Sequence, residues 1–521
     1  MVNSNRKSVP SIFSHKLMIP FLLALFQLGL QMAFHGNYGY FRDELYYIAC
    51  TKHLAFGYVD HPPLSIFMLW LNRLLLGDSL YALRLIPSVL GACVVVLAAM
   101  IARKLGGGNF AQALASLSIV AAPGLFGHAQ LYSPISYDVF FWTAAGYFAV
   151  SILSDDNPKM WIPFGLIVGL SMLNKYTMGF LVAGLITGLL LTQQRKQFLS
   201  KWFWLGGALG ALVFLPHLIW EITLDFATLE FLRNASANKN LHLGQVAFFI
   251  GQLRDMNVLS LPLWLGGIYF FFKYHEGKYR ALGWLFPFVF EAMVFGNGKI
   301  YYMSSIFPLF LAAGSVLFEH VFEAMGNVRL KRGYVIALII SGVISLPFAL
   351  PFLTIEQFIS YQQMLGIAPR PDEKSGVAEL PQYLADQFGW KELVDTIVAA
   401  YKKLTPEERS QCVIFARDYG QAAAVDFFGK QYGMPDAICG HNSYWLWGPG
   451  KQSGNIAIII GSTDNLEANL NDLRSYYKSV EFVAKTDIKY VMPFEKGRMI
   501  FICKGMNTAY QKIWAKERFY I

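Results

Sequence analysis

Two adjacent carboxylates, Asp43 and Glu44, follow the first long apolar stretch of the chain, within the sequence YFRDELYY. A carboxylate in this place can act as a general base that takes a proton from a hydroxyl or an amine. The structural alternative is helix capping, because the dipole of a helix favours negative charge in its first turn. Only one of two adjacent acids can cap well, so capping does not account for the pair.

Further ionisable residues stand near the ends of other apolar stretches, far apart in sequence. Each has a simple structural explanation when taken alone: a cap for Asp138, a turn for His61, or a lysine that extends to the membrane surface. Charged groups are costly at the depth of a bilayer, and those that gather at one side usually have a function. The sequence predicts such a gathering for Asp60, His61, Asp138, Lys175, Arg233, Lys239, Lys299, Tyr301 and Tyr302.

A base beside several cations suits the transfer of a sugar from a lipid phosphate to an acceptor. The base activates the acceptor, and the cations hold the negative charge that develops on the departing phosphate. A phosphate has a second pKa of about 6, so it needs little help from an acid when it leaves. Outside the cytoplasm, where no nucleotide sugars are expected, a lipid-linked donor is the natural source of the sugar.

The composition predicts a membrane protein that would position these groups on many helices. The 521 residues are 55% hydrophobic and only 15% charged, whereas soluble domains contain about 25% charged residues. A membrane-spanning helix needs about 20 apolar residues. By that measure the sequence predicts about eleven spans, at 17–35, 81–102, 109–127, 136–153, 160–173, 176–192, 202–221, 258–272, 281–296, 302–322 and 333–353.

The lysines and arginines of the short loops predict a cytoplasmic N-terminus. This reading also explains the net charge of +9 without a nucleic acid partner. An odd number of spans then places the C-terminus outside. The outer segments 36–80 and 222–257 are too long for turns, and we expect them to contain amphipathic helices on the membrane interface. The predicted inner cations are Arg6, Lys7, Lys16, Arg103, Lys104, Lys159, Arg195, Lys196, Lys201, Lys273, Lys278, Arg280, Arg329, Lys331 and Arg332.

The composition becomes more polar after residue 353, which predicts a transmembrane domain at 1–353 and a separate extracytoplasmic domain at 354–521. Predicted strands that alternate with predicted helices indicate an α/β fold with a partly parallel sheet in the second domain. The predicted strands include CVIFARDYG, NIAIIIGS, VEFVAKT, KYVMPF and RMIFICKG, and the predicted helices are QAAAVDFFGKQY and NLEANLNDLRSYY.

Several motifs occur in an order that resembles a known family. They are the acidic pair after the first span, an Asp that opens the fourth span, DHPPL, RLIPSVLGA, NKYTMGFLV and KIYYMSSIFPLFLAAGS. Over residues 17–353 the chain is similar to bacterial GT-C glycosyltransferases, namely the protein O-mannosyltransferase-like enzymes and the lipid A aminoarabinose transferases. The expected fold is therefore a polytopic α-helical GT-C membrane protein with a C-terminal extracytoplasmic α/β domain.

The resemblance implies a transferase that uses a polyprenyl-phosphate sugar and inverts the anomeric carbon. It places Asp43 at the catalytic acid position, with Glu44 beside it, and Asp138 at the second acidic position. His61 stands where aminoarabinose transferases have a lysine that contacts the donor phosphate. The other residues expected on the phosphate side are Lys175, Arg233, Lys299 and Tyr302.

The resemblance also implies a bacterial inner membrane protein whose partners are the lipid-linked donor, membrane lipids and an extracytoplasmic lipid, glycan or protein acceptor. The five cysteines have no zinc spacing. No metal site and no cofactor are predicted, and dependence on a divalent metal is left open. The alternative function is a lipid or solute transporter, although no inverted repeat is visible and the charges cluster at one face.

Overall fold

The computed structural model describes residues 17–521, so Arg6, Lys7 and Lys16 lie outside the described residues. Residues 17–353 are almost entirely helical, and we call them the helical part. Its helices are α1 (Met18–Phe34), α2 (Arg42–Cys50), α3 (Leu64–Leu76), α4 (Leu80–Lys104), α5 (Asn109–Val120), α6 (Pro123–His128), α7 (Pro134–Asp155), α8 (Trp161–Met172), α9 (Met178–Leu190), α10 (Lys201–Thr223), α11 (Ala227–Asn234), α12 (Gln245–Asp255), α13 (Leu261–Lys273), α14 (Arg280–Gly283), α15 (Leu285–Phe295), α16 (Phe307–Met325) and α17 (Val328–Ser345).

Four helical stretches among the described residues are long and apolar enough to cross a membrane. They are α4, α10, Ile300–Met325 and Val328–Phe348. The pair Gln245–Asp255 and Val258–Lys273 makes a fifth if it counts as one span, although it is bent by 101°. The count of about eleven spans stays a prediction, because several of the apolar stretches form helices shorter than a span.

The packing of these helices is typical of proteins in a lipid environment. At the crossing of α8 and α10, a Cβ atom on Gly165 would lie 1.9 Å from the carbonyl oxygen of Gly206. Only glycine allows the two backbones to approach so closely, as small residues do between membrane helices. Trp204 and Leu212 of α10 are each 64% exposed at the surface of the helical part. An apolar outer surface of this kind is suited to lipid.

Residues 354–521, which we call the C-terminal part, combine helices with one five-stranded sheet. The strands are β1 (Cys412–Ala416), β2 (Ile438–Cys439), β3 (Ile456–Ile460), β4 (Tyr477–Lys485) and β5 (Met499–Met506). The helices are α18 (Ile355–Met364), α19 (Gln382–Ala385), α20 (Trp390–Lys403), α21 (Pro406–Ser410), α22 (Tyr419–Phe428), α23 (Ser443–Trp447), α24 (Leu466–Tyr476) and α25 (Tyr510–Ile513).

The sheet has the order β2-β1-β3-β5-β4. β1 is parallel to β2 and β3, whereas β5 is antiparallel to β3 and β4. Successive residues of a strand point to opposite faces. Accordingly Ile458 packs into the core shared with α20 and α22, while Ile459 packs into the cluster of α24. The prediction of a partly parallel sheet is confirmed, but KYVMPF forms a turn and is not a strand.

Helix α2 lies between the two parts of the molecule. Its residues Glu44–Cys50 are all buried, and Ile48 shares one hydrophobic cluster with Trp390 of α20 and Ala422 of α22. The sequence predicts an amphipathic helix on the membrane interface in this segment. The structure differs for most of α2, because protein buries every residue from Glu44 to Cys50 and leaves only the beginning of the helix open.

Candidate functional site

The carboxylate of Glu44 is fully buried, and hydrogen bonds occupy both of its oxygens. Arg84 donates from Nε to Oε1 over 2.9 Å and from Nη2 to Oε2 over 2.8 Å. The backbone nitrogens of Phe41 and Tyr132 donate to the same carboxylate over 2.9 and 2.8 Å. A bidentate pair with this many donors is well suited to burial. The geometry fixes the first turn of α2 against α4 and leaves Glu44 no access to solvent.

Asp43 is the next residue back along α2, and its side chain remains 28% exposed. Its Oδ1 accepts a hydrogen bond of 2.9 Å from the hydroxyl of Tyr419, and Nε of Arg42 lies 3.6 Å from the same oxygen. Nη2 of Arg42 also lies 3.6 Å from Oδ2 of Asp386. Burial alone would lower the pKa of Arg42, but Asp386 reverses this and the pKa is raised. Asp43 is therefore a carboxylate held from one side and open on the other.

Two lysines from distant segments meet at one carboxylate of the C-terminal part. Nζ of Lys299 lies 2.5 Å from Oε1 of Glu373, and Nζ of Lys239 lies 3.8 Å from the same oxygen. Burial opposes charge here, but the two lysines hold the pKa of Glu373 at about 2. In turn Glu373 outweighs burial and raises the pKa of Lys299, and Asp43 adds to this rise. Asp43 is therefore within electrostatic range of Lys299.

Lys175, in the turn between α8 and α9, lies beside the aromatic residues that follow Lys299. Its Nζ is 4.3 Å from the ring centre of Tyr302 and 5.2 Å from that of Tyr301. Nζ of Lys299 is 6.0 Å from the ring centre of Tyr301. Burial lowers the pKa of Lys175, and Tyr302 and Asp138 oppose this shift. The ring of Tyr301 thus lies beside both ammonium groups, and that of Tyr302 lies beside Lys175.

Asp138 of α7 lies behind Lys175 and is closed to solvent. The hydroxyls of Thr177 and Ser305 donate to its Oδ1 and Oδ2, each over 2.7 Å. These hydroxyls belong to the turn that carries Lys175 and to the 3-10 helix Ile300–Ile306 that carries Tyr302. Asp138 therefore connects the segment that carries Lys175 to the segment that carries Tyr302.

His61 is buried among tyrosines next to Asp60. Its ring centre lies 5.2 Å from that of Tyr47 and 4.9 Å from that of Tyr58, and its Nδ1 is 3.1 Å from the carbonyl oxygen of Pro62. No residue among 17–521 hydrogen-bonds to its Nε2. This nitrogen is a buried polar atom available to a ligand or a water.

The structure brings most of the predicted residues together. Asp43, Lys175, Lys299 and Tyr302 form one polar cluster, with Asp138 behind Lys175. Arg233 on α11 is different, because it is exposed and makes no hydrogen bond or ion pair with the described residues.

The residues that sequence reasoning did not single out come from the C-terminal part and from α4. Glu373, Asp386 and Tyr419 contact the cluster across 74 to 376 positions of sequence. No local pattern marks them. Arg84 did have a signal, because a lone arginine inside an apolar stretch needs a buried partner. No three His, Cys, Asp or Glu side chains within the described part of the chain are grouped so that they could hold a metal ion.

Comparison with known proteins finds similar sequences and folds. The family model for dolichyl-phosphate-mannose-protein mannosyltransferases matches residues 60–220. An undecaprenyl phosphate-alpha-4-amino-4-deoxy-L-arabinose arabinosyl transferase of Pseudomonas fluorescens is 21% identical over 350 residues, which are 64% of this chain and 61% of that protein. A transferase of the same name from Pseudomonas aeruginosa is 25% identical over 319 residues, 57% of this chain and 55% of that protein. The match thus spans less than two thirds of these relatives' length.

Two solved structures share the fold. ArnT from Cupriavidus metallidurans, bound to undecaprenyl phosphate, aligns with a TM-score of 0.57 at 12% identity and covers 94% of this chain and 97% of that one. The oligosaccharyltransferase AglB from Archaeoglobus fulgidus aligns with a TM-score of 0.51 at 12% identity, over 79% of this chain and 63% of that one.

The helical fold, the apolar outer surface and these similarities agree with one another. The protein crosses the membrane more than once. The chain has the fold of ArnT and is similar in sequence to undecaprenyl phosphate aminoarabinose transferases and, over residues 60–220, to the mannosyltransferase family model.

Proposed function

We propose that this protein is an inverting glycosyltransferase that moves a sugar from a polyprenyl-phosphate donor to an acceptor outside the cytoplasm. One observation carries the proposal. The half-open carboxylate of Asp43 lies within electrostatic range of Lys239 and Lys299, and Lys299 lies within range of Lys175. We call Lys175, Lys239 and Lys299 the lysine group. The likeness to ArnT, whose solved structure contains undecaprenyl phosphate, supports a lipid phosphate as the ligand of this group.

In the proposed step Asp43 accepts the proton of the acceptor hydroxyl or amine. The acceptor atom then forms a bond to the anomeric carbon, while the bond from that carbon to the phosphate oxygen breaks. Attack from the side opposite the phosphate inverts the anomeric carbon. The electron pair of the broken bond stays on the polyprenyl phosphate, so negative charge grows there and requires cations.

The lysine group supplies that charge, with Tyr302 beside Lys175. Lys239 and Lys299 are both engaged by Glu373, so a donor phosphate would take the place of this carboxylate. His61 is proposed to contact the donor through its unpaired Nε2. For Arg233 the proposal rests on the family resemblance, since this side chain is exposed on α11.

The other two predicted acids have supporting roles in this scheme. Glu44 is closed off by Arg84 and two backbone nitrogens, and it would keep α2 and hence Asp43 in place. Asp138 would keep Lys175 charged and hold it near Tyr302 through Thr177 and Ser305. Neither needs to touch the acceptor.

The proposed location is the bacterial inner membrane, with the N-terminus in the cytoplasm and the C-terminal part outside. The basic inner loops support this orientation. The acceptor would be an extracytoplasmic lipid, glycan or protein. The proposal includes no cofactor and no resident metal, because the lysine group can neutralise the phosphate by itself.

The test is release of undecaprenyl phosphate from undecaprenyl-phosphate sugars by the purified protein in detergent, with a mixed acceptor extract. We expect Asp43→Asn to reduce release by at least about a hundredfold, the size of a general-base contribution. Asp395→Asn, an exposed acid on α20, is the matched control and should keep full activity. Full activity of Asp43→Asn would refute its role as the base. Lipid or solute transport in vesicles, without any sugar release, would favour a transporter instead.

A further inference from the structure

The beginning of α22 in the C-terminal part is pressed against the beginning of α2. A Cβ atom on Gly420 would lie 2.5 Å from Cγ of Arg42, so any other residue at this position would displace the Arg42 side chain. Asp418 caps α22 by accepting hydrogen bonds of 2.9 and 3.0 Å from the backbone nitrogens of Gly420 and Gln421. The cap and the glycine together fix the direction in which Tyr419 leaves the helix.

The ring of Tyr419 is held on several sides. Its centre lies 4.6 Å from that of Tyr46 and 4.9 Å from that of His441, and the guanidinium carbon of Arg42 lies 5.3 Å above it. Because the ring is buried and wedged, its hydroxyl has a defined position. That hydroxyl donates to Oδ1 of Asp43 over 2.9 Å.

The second oxygen of Asp43 is left for another partner. No residue among 17–521 hydrogen-bonds to Oδ2, and the side chain is part exposed. Tyr419 therefore takes one oxygen of the carboxylate and leaves the other without a hydrogen-bond partner among the described residues. A carboxylate that accepts a hydrogen bond is also favoured in its charged form.

We propose that Tyr419 is a positioning residue for Asp43, through which the C-terminal part completes the active site. This inference rests on the function proposed above, in which Asp43 is the general base. It assigns a role to the C-terminal part, which contributes an oriented donor to a carboxylate of the helical part.

The proton of Tyr419 stays in place over the pH range of an assay. Burial raises the pKa of this hydroxyl above its ordinary value, and Asp43 raises it further in opposition to Arg42. The hydroxyl therefore acts as a donor and does not itself serve as the base.

The experiment removes the hydroxyl and keeps the ring, with Tyr419→Phe. We expect kcat to fall about tenfold, the effect of one hydrogen bond to a charged group, with little change in the KM for the donor. We also expect Tyr419→Phe to cause no further loss when it is added to Asp43→Asn, because the hydroxyl acts only through that carboxylate. The matched control is Tyr477→Phe, which removes another buried hydroxyl of the C-terminal part, one that pairs with Tyr510 far from Asp43.

A rate loss in Tyr419→Phe that equals the loss in Tyr477→Phe, or that recurs in full on the Asp43→Asn background, would overturn the inference in favour of a structural role. A second measurement does not need turnover. The infrared carboxylate band that Asp43→Asn removes should shift in frequency in Tyr419→Phe, because one of its oxygens loses a hydrogen bond. An unchanged band would also overturn the inference. A shifted band in a protein that releases no sugar would refute the proposed function and leave the Tyr419–Asp43 relationship standing.

Discussion

Nζ of Lys299 lies 2.5 Å from Oε1 of Glu373, so a carboxylate of the C-terminal part occupies a cation of the helical part. The backbone nitrogen of Lys374, next to Glu373, also donates to the carbonyl oxygen of Lys239 over 2.9 Å. This hydrogen bond holds the segment of Glu373 beside the segment of Lys239. An anionic ligand of Lys239 and Lys299 has to compete with this internal anion.

Removing the charge of Glu373 should therefore strengthen the binding of a lipid phosphate. We expect Glu373→Gln to lower the Kd for undecaprenyl phosphate about tenfold, in line with the loss of one competing charge-assisted hydrogen bond. The measurement is equilibrium binding of undecaprenyl phosphate to the purified protein in detergent. Glu379→Gln makes the same change of charge at an exposed site in the same segment and should leave the Kd unchanged. Weaker binding by Glu373→Gln would show that this carboxylate supports the site and does not compete for it.

The charge of Lys175 should control activity at alkaline pH. Burial lowers its pKa, so the protonated form that holds the phosphate is present at low pH and is lost as pH rises through the lowered pKa. Arginine stays charged throughout. We therefore expect Lys175→Arg to move the alkaline limb of kcat/KM to higher pH, even if the rate near neutral pH falls several-fold.

The matched control for Lys175 is Lys299→Arg, because Glu373 already raises the pKa of Lys299. The same exchange at this position should leave the alkaline limb where it is. Equal shifts in both variants, or no shift in Lys175→Arg, would contradict the assignment of the alkaline limb to Lys175. Both profiles come from release of undecaprenyl phosphate measured across the pH range.

The sequence predicts the part of the site that lies on helices of regular pattern. Asp43, Lys175 and Lys299 follow or precede apolar stretches, and the alternation of loops places such ends on the same side of a membrane. In the structure they converge, because Lys299 lies within electrostatic range of both Asp43 and Lys175. Helix packing does the rest, because neighbouring helices fix the position of each helix end.

The contacts of the C-terminal part could not be predicted in this way. Tyr419 meets Asp43 across 376 positions, and nothing near either residue encodes the pairing. Local backbone shape caused a further error: Tyr490 adopts φ of 63°, which breaks the extended run expected at KYVMPF. The two-residue strand β2 is too short to show a period of two.

The buried pair of Arg84 and Glu44 should be the largest single contribution to the stability of α2 against α4. Removing one partner leaves the other charge buried and unpaired. We therefore expect Arg84→Met to lower the free energy of unfolding by about 3–5 kcal/mol. Adding Glu44→Gln to Arg84→Met should recover part of this loss, because no uncompensated charge remains while one side-chain oxygen still accepts a backbone hydrogen bond. The measurement is unfolding in mixed micelles of increasing denaturing detergent. Lys391→Met, which breaks an exposed pair with Asp395, should change little. A double variant less stable than Arg84→Met would mean that the Glu44 carboxylate itself, held by Phe41 and Tyr132, matters more than its pairing with arginine.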